Sequence, residues 1–262
     1  MIKISHSEID SYRQCRFKHQ LQYREGWRSE DTAPALQRGT HFHTMLELHY
    51  RHRGEAALEY LSTVEDNDQR ELLAWIYSGY CSKWGEDLGW EVIDVERWIE
   101  VPLADDVVLR GKIDLIARDE KGRVWIWDHK TSQYLPKARE HDLDDQLTVY
   151  LWALREEGMD VRGAIYNACR TNRPKSKEPK LEERFDRYMV FRTDAELETV
   201  RREYTELARE AYQAGEGDRP RSPDPDKCRW RCPFVEPCLL GRRGGDSRGM
   251  MRDFGFIQKK RE

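Results

Sequence analysis

Nowhere in the 262 residues is there anything near the roughly 20 consecutive apolar side chains that a membrane span requires. Uncharged apolar segments such as Leu147 to Leu154 stop far short of it. The opening MIKISHSEID lacks a basic segment followed by an apolar one, so no secretory signal is expected there. No G-x-x-x-x-G-K-[ST] loop is present, which leaves any ATP-driven step to another protein. The paired C-x-x-C spacing of a zinc ribbon is missing, as are internal repeats and long low-complexity tracts. Membrane, secreted and fibrous classes are thereby excluded, and a cytoplasmic protein is expected.

Charge and aromatic surface are plentiful instead. Charged residues make up 36% and aromatic residues 11%, including nine Trp, a composition that argues against wholesale disorder. The formal net charge of −4 hides an asymmetry. From residue 219 to 262 there are twelve Lys and Arg against six Asp and Glu; the remaining 218 residues carry 33 basic and 43 acidic side chains. An acidic body can hold clustered carboxylates, and a basic tail is a place to meet polyanions.

Ser5 to Glu8 reads as a capping box opening a helix to about Arg24. After a loop containing Pro34, Gly39-Thr40 starts a second helix through about Arg53, and residues 55–62 and 69–87 also have helical spacing. From Trp90 the pattern changes. EVIDVERWIEV alternates as a half-buried strand does, and VVLRGKIDLIA and RVWIWDHKTS are two more strands joined by the hairpin signal DEKG. Helical spacing returns over 141–157; RGAIYNACR and RFDRYMVFR are strands; a long helix covers 194–214; and the Gly-, Pro-, Arg- and Cys-rich end reads as irregular. The expected organisation is a single α/β domain over 1–262: a helical part at 1–90, a sheet core at 91–193 and a helix with a Cys-bearing tail at 194–262.

The chemistry concentrates in VWIWDHK. Residues two apart on a strand share a face, so Asp128 and Lys130 project together while His129 faces away. With an odd-length loop at DEKG, Asp114 of RGKID sits opposite Asp128. Adjacent carboxylates repel unless a cation lies between them, and hard oxygen donors of this kind suit Mg²⁺ or Mn²⁺. A lysine beside such a metal can orient a water and steady charge on a phosphate. Gly111 removes a side chain where backbone approaches closely. A D-x-K triplet by itself is more often a solvated strand face with an ion pair. Upstream, Gly39-Thr40-His41-Phe42-His43 leads into Glu47, an i,i+4 neighbour of His43; downstream, Gln146 and Tyr150 are likewise i,i+4.

The order G-T-x-x-H, G-x-x-D, D-x-K, Q-x-x-x-Y resembles the RecB-like branch of the PD-(D/E)xK nuclease superfamily, whose core is a mixed central sheet flanked by helices. The resemblance implies His43, Asp114 and Asp128 as metal ligands, completed by the backbone carbonyl of His129. It implies Lys130 as the catalytic lysine, and Gln146 and Tyr150 as residues that organise the site and contact DNA. The acid of D/E-x-K is Asp here where Glu is commoner.

Six cysteines occur, at 15, 81, 169, 228, 232 and 238. Cys228, Cys232 and Cys238 give C-x3-C-x5-C, and Cys15 in the first helix is the attractive fourth partner. The chain is similar at both ends to CRISPR-associated RecB-like nucleases and to the nuclease domain of AddB-type helicase–nucleases, in which such a set holds a structural [4Fe-4S] cluster. Zinc accepts the same four thiolates and stays open as an alternative. Cys81 and Cys169 read as buried free thiols.

DNA contacts are expected from Arg170, Arg173, Lys175 and Lys177, and from Arg229 and Arg231 in the tail. Trp75, Tyr77, Tyr80 and Trp84 at near-helical spacing are more simply core, with one or two left to stack on bases. The resulting expectation is a Mg²⁺- or Mn²⁺-dependent exonuclease favouring single strands or frayed duplex ends, serving recombination, repair, phage replication or CRISPR adaptation, with a helicase or recombination protein as partner. The rival is a DNA-end-binding adaptor of the same fold with weak catalysis.

Overall fold

The computed structural model describes every residue except Thr32, Glu86, Ala138, Arg139, Ser176, Ala214, Glu216 and 260–262, and leaves undescribed the side chains of Glu140, Trp230 and Arg231. The chain begins with β1 (Ile2–Ile4), α1 (His6–Gln14), α2 (Arg16–His19), β2 (Trp27–Ser29), α3 (Pro34–His52), α4 (Gly54–Ser62) and α5 (Asn67–Trp84). Then come β3 (Trp90–Ala104), β4 (Val107–Asp119), β5 (Val124–Ser132), α6 (Asp145–Glu156), β6 (Val161–Arg170) and β7 (Phe185–Val190). The remainder holds α7 (Asp194–Tyr212), α8 (Pro225–Arg231), α9 (Val235–Arg242), α10 (Ser247–Asp253) and β8 (Phe256–Gln258).

Ser5 caps α1 as expected, its hydroxyl accepting from the Glu8 N–H at 3.3 Å. The helix does not run unbroken to Arg24, however. Cys15 takes extended backbone (φ −163°, ψ 114°), and Gln20–Arg24 winds as a π-helix. Nor does α3 wait for Gly39: Pro34 is its first residue, because the fixed φ of proline suits the first turn and its missing N–H has no partner to lose there. The tail is not irregular. Asp224 accepts from the N–H groups of Asp226 and Lys227 with Pro225 behind it, and Asp246 accepts from Gly249, so residues that read as turn formers act as helix caps.

The chain forms two compact units. The first comprises Met1–Ala33, Leu103–Val108 and Glu203–Glu262; the second comprises Pro34–Pro102 and Leu109–Arg202. In the first, β2 pairs antiparallel with β8, and Phe17, Leu21, Trp27, Phe234 and Met251 form a core edged by Cys15, Cys232 and Cys238. The Ile2 N–H is tied to the Asp106 carbonyl at 2.7 Å.

In the second unit the strands lie in the order β4-β5-β6-β7, with β3 paired to β4. β4 and β5 are antiparallel, β5 and β6 parallel, β6 and β7 antiparallel. A parallel pair needs a crossover, and α6 supplies it between β5 and β6. The architecture is thus the expected mixed α/β sheet flanked by helices. Leu115, Ala117, Trp125, Trp127 and Ile165 bury one face beside Val95. Trp125 and Trp127 are each 1% exposed, worth roughly 5 kcal/mol apiece as an upper figure from area. Phe42, Met45 and Leu46 of α3 pack with Leu73, Ile76 and Tyr80 of α5 in a second cluster. Among the described residues no helix is long and apolar enough to cross a membrane.

Candidate functional site

The hairpin register decides where the carboxylates stand. Asp119 N–H bonds the Arg123 carbonyl across a three-residue turn, and the pairing proceeds through Ala117↔Trp125 to Leu115↔Trp127. One further step brings Asp114 opposite Asp128, and the His129 N–H donates to Asp114 Oδ2 at 2.7 Å. Lys130 Nζ stands 3.0 Å from each Asp128 oxygen, in hydrogen-bonding geometry to Oδ1 only, so the buried Oδ2 is left without a hydrogen bond. The same ammonium donates to Gln146 Oε1 at 2.7 Å. Asp144 sets that partner in place, capping α6 through the N–H groups of Gln146 and Leu147.

Tyr150, one turn beyond Gln146, is 6% exposed and lies over Gly111. A Cβ on Gly111 would fall 2.6 Å from Tyr150 Oη, so the glycine of G-x-x-D and the tyrosine of Q-x-x-x-Y are two sides of one contact. On α3, a Cβ at Gly39 would meet Thr131 Oγ1 at 3.4 Å, and His43 Nδ1 reaches within 3.5 Å of Asp114 Oδ2. Glu47, the sequence neighbour of His43, turns instead to Arg51 at 3.1 Å.

His129 faces away, as strand alternation requires. Its ring is stacked on Tyr50 at 5.8 Å, and Asn167 Nδ2 lies 2.8 Å from its Nδ1. Behind it Arg187 grips Asp87 with two bonds of 2.6 and 2.7 Å and touches Tyr80 and Asn167.

The electrostatics follow from this crowding. Burial alone would raise the Asp114 carboxyl, yet the His43 ring and the His129 N–H hold it below the usual carboxylate range. Burial, with Asp114 and Asp144 nearby, pushes Asp128 up in spite of Lys130. Burial pulls Lys130 down, but Asp128 and Asp144 outweigh it, so its ammonium is held charged. Burial keeps His129 neutral, down at about 3.

Glu96 is the residue that sequence reasoning missed. Among the described residues, His43, Glu96 and Asp114 are the group whose donor atoms all lie within 4.8 Å of one another. Asp128 stands outside this trio, beside it through Asp114. In sequence Glu96 is merely a polar position in an alternating strand; in the fold its backbone adopts φ +57°, rare for a residue with a side chain, which breaks the alternation locally. The donor set suits a hard divalent cation: an imidazole and carboxylate oxygens, with Asp128 Oδ2, which accepts no hydrogen bond, adjacent.

The residues expected to grip DNA are more scattered. Arg170 lies over the Tyr134 ring at 5.6 Å, and Arg173 over Trp75 at 5.6 Å. Arg173, Lys175 and Lys177 line a shallow groove with Pro174 and Glu178. The Arg231 side chain lies outside the described residues. Trp75, Tyr77 and Tyr80 are core, at most 8% exposed, and Trp84 packs beneath Arg187, so none of the four presents a free ring face. Cys169 is buried, whereas Cys81 is only half-buried, and neither forms a disulfide.

In the first unit, Cys15, Cys228, Cys232 and Cys238 all line one cavity of about 210 Å³, walled by Phe17, Phe234 and Val235. The Ser222 N–H points at Cys15 Sγ (3.4 Å) and the Asp224 N–H at Cys228 Sγ (3.5 Å), donors of the kind that stabilise thiolates. The break in the helix at Cys15 is where this residue joins the cavity wall.

A family model described as the PD-(D/E)XK nuclease superfamily matches residues 3–239. Two curated relatives are ATP-dependent helicase/deoxyribonuclease subunits from strains MGCS10565 and H70 of Streptococcus equi subsp. zooepidemicus. Each is 25% identical over 188 residues, 63% of this chain and 18% of the relative. The chain thus spans less than a fifth of the length of these relatives. A crystallised Eubacterium rectale protein whose exonuclease assignment is provisional shares the fold, with a TM-score of 0.53, 14% identity, and coverage of 83% of this chain and 84% of that one. With the family match running across nearly the whole chain, and the D-x-K strand, its facing aspartate and the supporting helix assembled in one unit, the chain belongs to the PD-(D/E)XK nuclease superfamily.

Proposed function

We propose that this chain is a divalent-metal-dependent deoxyribonuclease acting from DNA ends, with a preference for single strands or frayed ends. The observation that carries the reading is the donor trio of His43, Glu96 and Asp114 next to the Lys130–Asp128 ion pair. His43, Glu96 and Asp114, with Asp128 and the His129 carbonyl beside them, would hold Mg²⁺ or Mn²⁺. When bound, such an ion supplies Lewis-acid charge at the scissile phosphate and lowers the pKa of water. Asp114 meets it already ionised. Lys130, held charged by its carboxylate neighbours and fixed by Asp128 and Gln146, has one N–H left to give to a phosphate oxygen or to the attacking water; in this state it is not a base. Tyr150 and Gln146 keep β4 and Lys130 in register. The curated relatives are named as helicase/deoxyribonuclease subunits, which supports DNA as substrate and a helicase as partner, in the cytoplasm.

Cys15, Cys228, Cys232 and Cys238 would hold a structural [4Fe-4S] cluster that fixes the tail to the first helix. All four thiols line the same cavity, which supports one shared group; zinc accepts the same four thiolates and is the alternative. Iron and acid-labile sulfide in anaerobically purified protein, against zinc, test this assignment.

The activity is tested with 5′- and 3′-end-labelled single-stranded and duplex DNA in Mn²⁺, comparing wild type with Lys130→Ala and with an EDTA control. Cleavage by wild type, abolished by either change, is the expected result. Wild-type protein that binds DNA ends but cuts none would overturn the nuclease reading in favour of an end-binding adaptor.

A further inference from the structure

Trp98 is 72% exposed, the most exposed aromatic side chain among the described residues. It sits on β3 between buried Val95 and Ile99, at an outward position where Glu100 and Pro102 follow it. An outward strand position ordinarily carries a polar group, and nothing in the core explains an indole there. Its neighbour is Lys112, whose ammonium lies 6.0 Å from the ring centroid. Lys112 is also ion-paired with Glu96, and Glu96 belongs to the trio with His43 and Asp114. An unbroken row of side chains therefore leads from the proposed cation site through Glu96 and Lys112 to an open aromatic face.

Resting on the nuclease reading above, we propose that Trp98 and Lys112 form a nucleotide subsite that takes an unpaired base of a single strand beside the scissile phosphate. A nucleotide offers a phosphate and an aromatic base one sugar apart. Lys112 has three N–H donors, one engaged by Glu96, leaving two for a phosphate oxygen. The indole offers a face on which any base can stack, without sequence preference. A base inside a duplex is already stacked on both sides and does not reach the indole, so this subsite selects single strands and frayed ends. It fills the role that Trp75, Tyr77 and Tyr80 do not perform, since those rings lie in the core, and that Trp84 does not perform with Arg187 over its ring.

The test measures binding of labelled oligothymidylate and of a blunt hairpin duplex in EDTA, where no cleavage occurs, by wild type, Trp98→Ala, Trp98→Phe and Lys112→Ala. Trp98→Ala is expected to weaken single-strand binding about tenfold, equivalent to about 1.4 kcal/mol. Trp98→Phe loses less, the blunt duplex binds as before, and melting temperature and Mn²⁺ affinity stay at wild-type values. Lys112→Ala lowers the salt dependence of single-strand binding. Single-strand affinity of Trp98→Ala within about twofold of wild type, or an equal loss for single strand and duplex, overturns the subsite. The two readings separate cleanly. If wild type cuts DNA and Trp98→Ala binds normally, the subsite fails and the nuclease stands. If wild type cuts nothing while Trp98→Ala still loses single-strand binding, the nuclease fails and the subsite stands.

Discussion

Gly111→Ala places a methyl group where the ring of Tyr150 already stands. The added carbon would lie 2.6 Å from Oη, 2.7 Å from Cε1 and 2.8 Å from Cζ, each well inside van der Waals contact. Tyr150 cannot swing aside, because it is 6% exposed and α6 around it is buried at Leu147, Val149, Leu151 and Leu154. Overpacking of this kind costs about 1–3 kcal/mol. For a chain of this size that corresponds to a melting temperature lower by about 2–12 °C. Tyr150→Ala alone opens a cavity and costs about 3–5 kcal/mol. In the double variant the new methyl enters the space the ring has left, so Gly111→Ala should then cost almost nothing, a coupling of about 1–3 kcal/mol. Tyr150→Phe does not rescue, since Cε1 and Cζ remain. Urea unfolding of the four proteins reads the cycle, with circular dichroism to verify the fold. A Gly111→Ala protein that melts within about 1 °C of wild type, or costs that simply add, would refute the steric link between the two motifs.

Two further outcomes concern the structure around the site. Arg187→Ala strands Asp87, 6% exposed at its side chain, without its bidentate partner, and should cost about 3–5 kcal/mol, with Arg187→Lys recovering only part because an ammonium cannot bond both oxygens in the same plane; wild-type stability for the alanine variant in chemical denaturation would contradict this. Asp119 accepts from the Arg123 and Lys121 N–H groups, the Arg123 guanidinium and the Trp125 indole, and the Arg123 side chain foremost pulls its carboxyl far below the usual range. Because the folded value is lowered, the stabilisation is complete above the ordinary carboxylate pKa of about 3.9 and is lost as pH falls below it. Asp119→Asn should therefore melt below wild type at neutral pH, with the gap narrowing under acid; a gap independent of pH would refute the assignment.

Much of the site is legible in the sequence because its determinants are local. Strand periodicity alone places Asp128 and Lys130 together and turns His129 away, and the length of the DEKG turn sets Asp114 opposite Asp128. Helical spacing likewise puts Gln146 and Tyr150 on one face. Capping chemistry is equally local, but it reads ambiguously: Asp224-Pro225 and Asp246 are as compatible with loops as with the short helices they start, and Pro34 marks a helix entry that resembles a break. Glu96 and Trp98 were out of reach, since their meaning depends on a left-handed backbone at one position of β3 and on which neighbours β4 brings alongside. The aromatic residues of α5 show the reverse. Their spacing is indifferent between core and binding face, and only the packing of α3 and β7 against them removes them from solvent. Relations carried within one strand, one turn or one helix are thus written in the order of the residues, because backbone geometry fixes them over a few positions. Which of those elements meet depends on contacts between residues far apart in the chain. Folding therefore chooses which carboxylate stands with His43 and Asp114 and which tryptophan stays open to solvent.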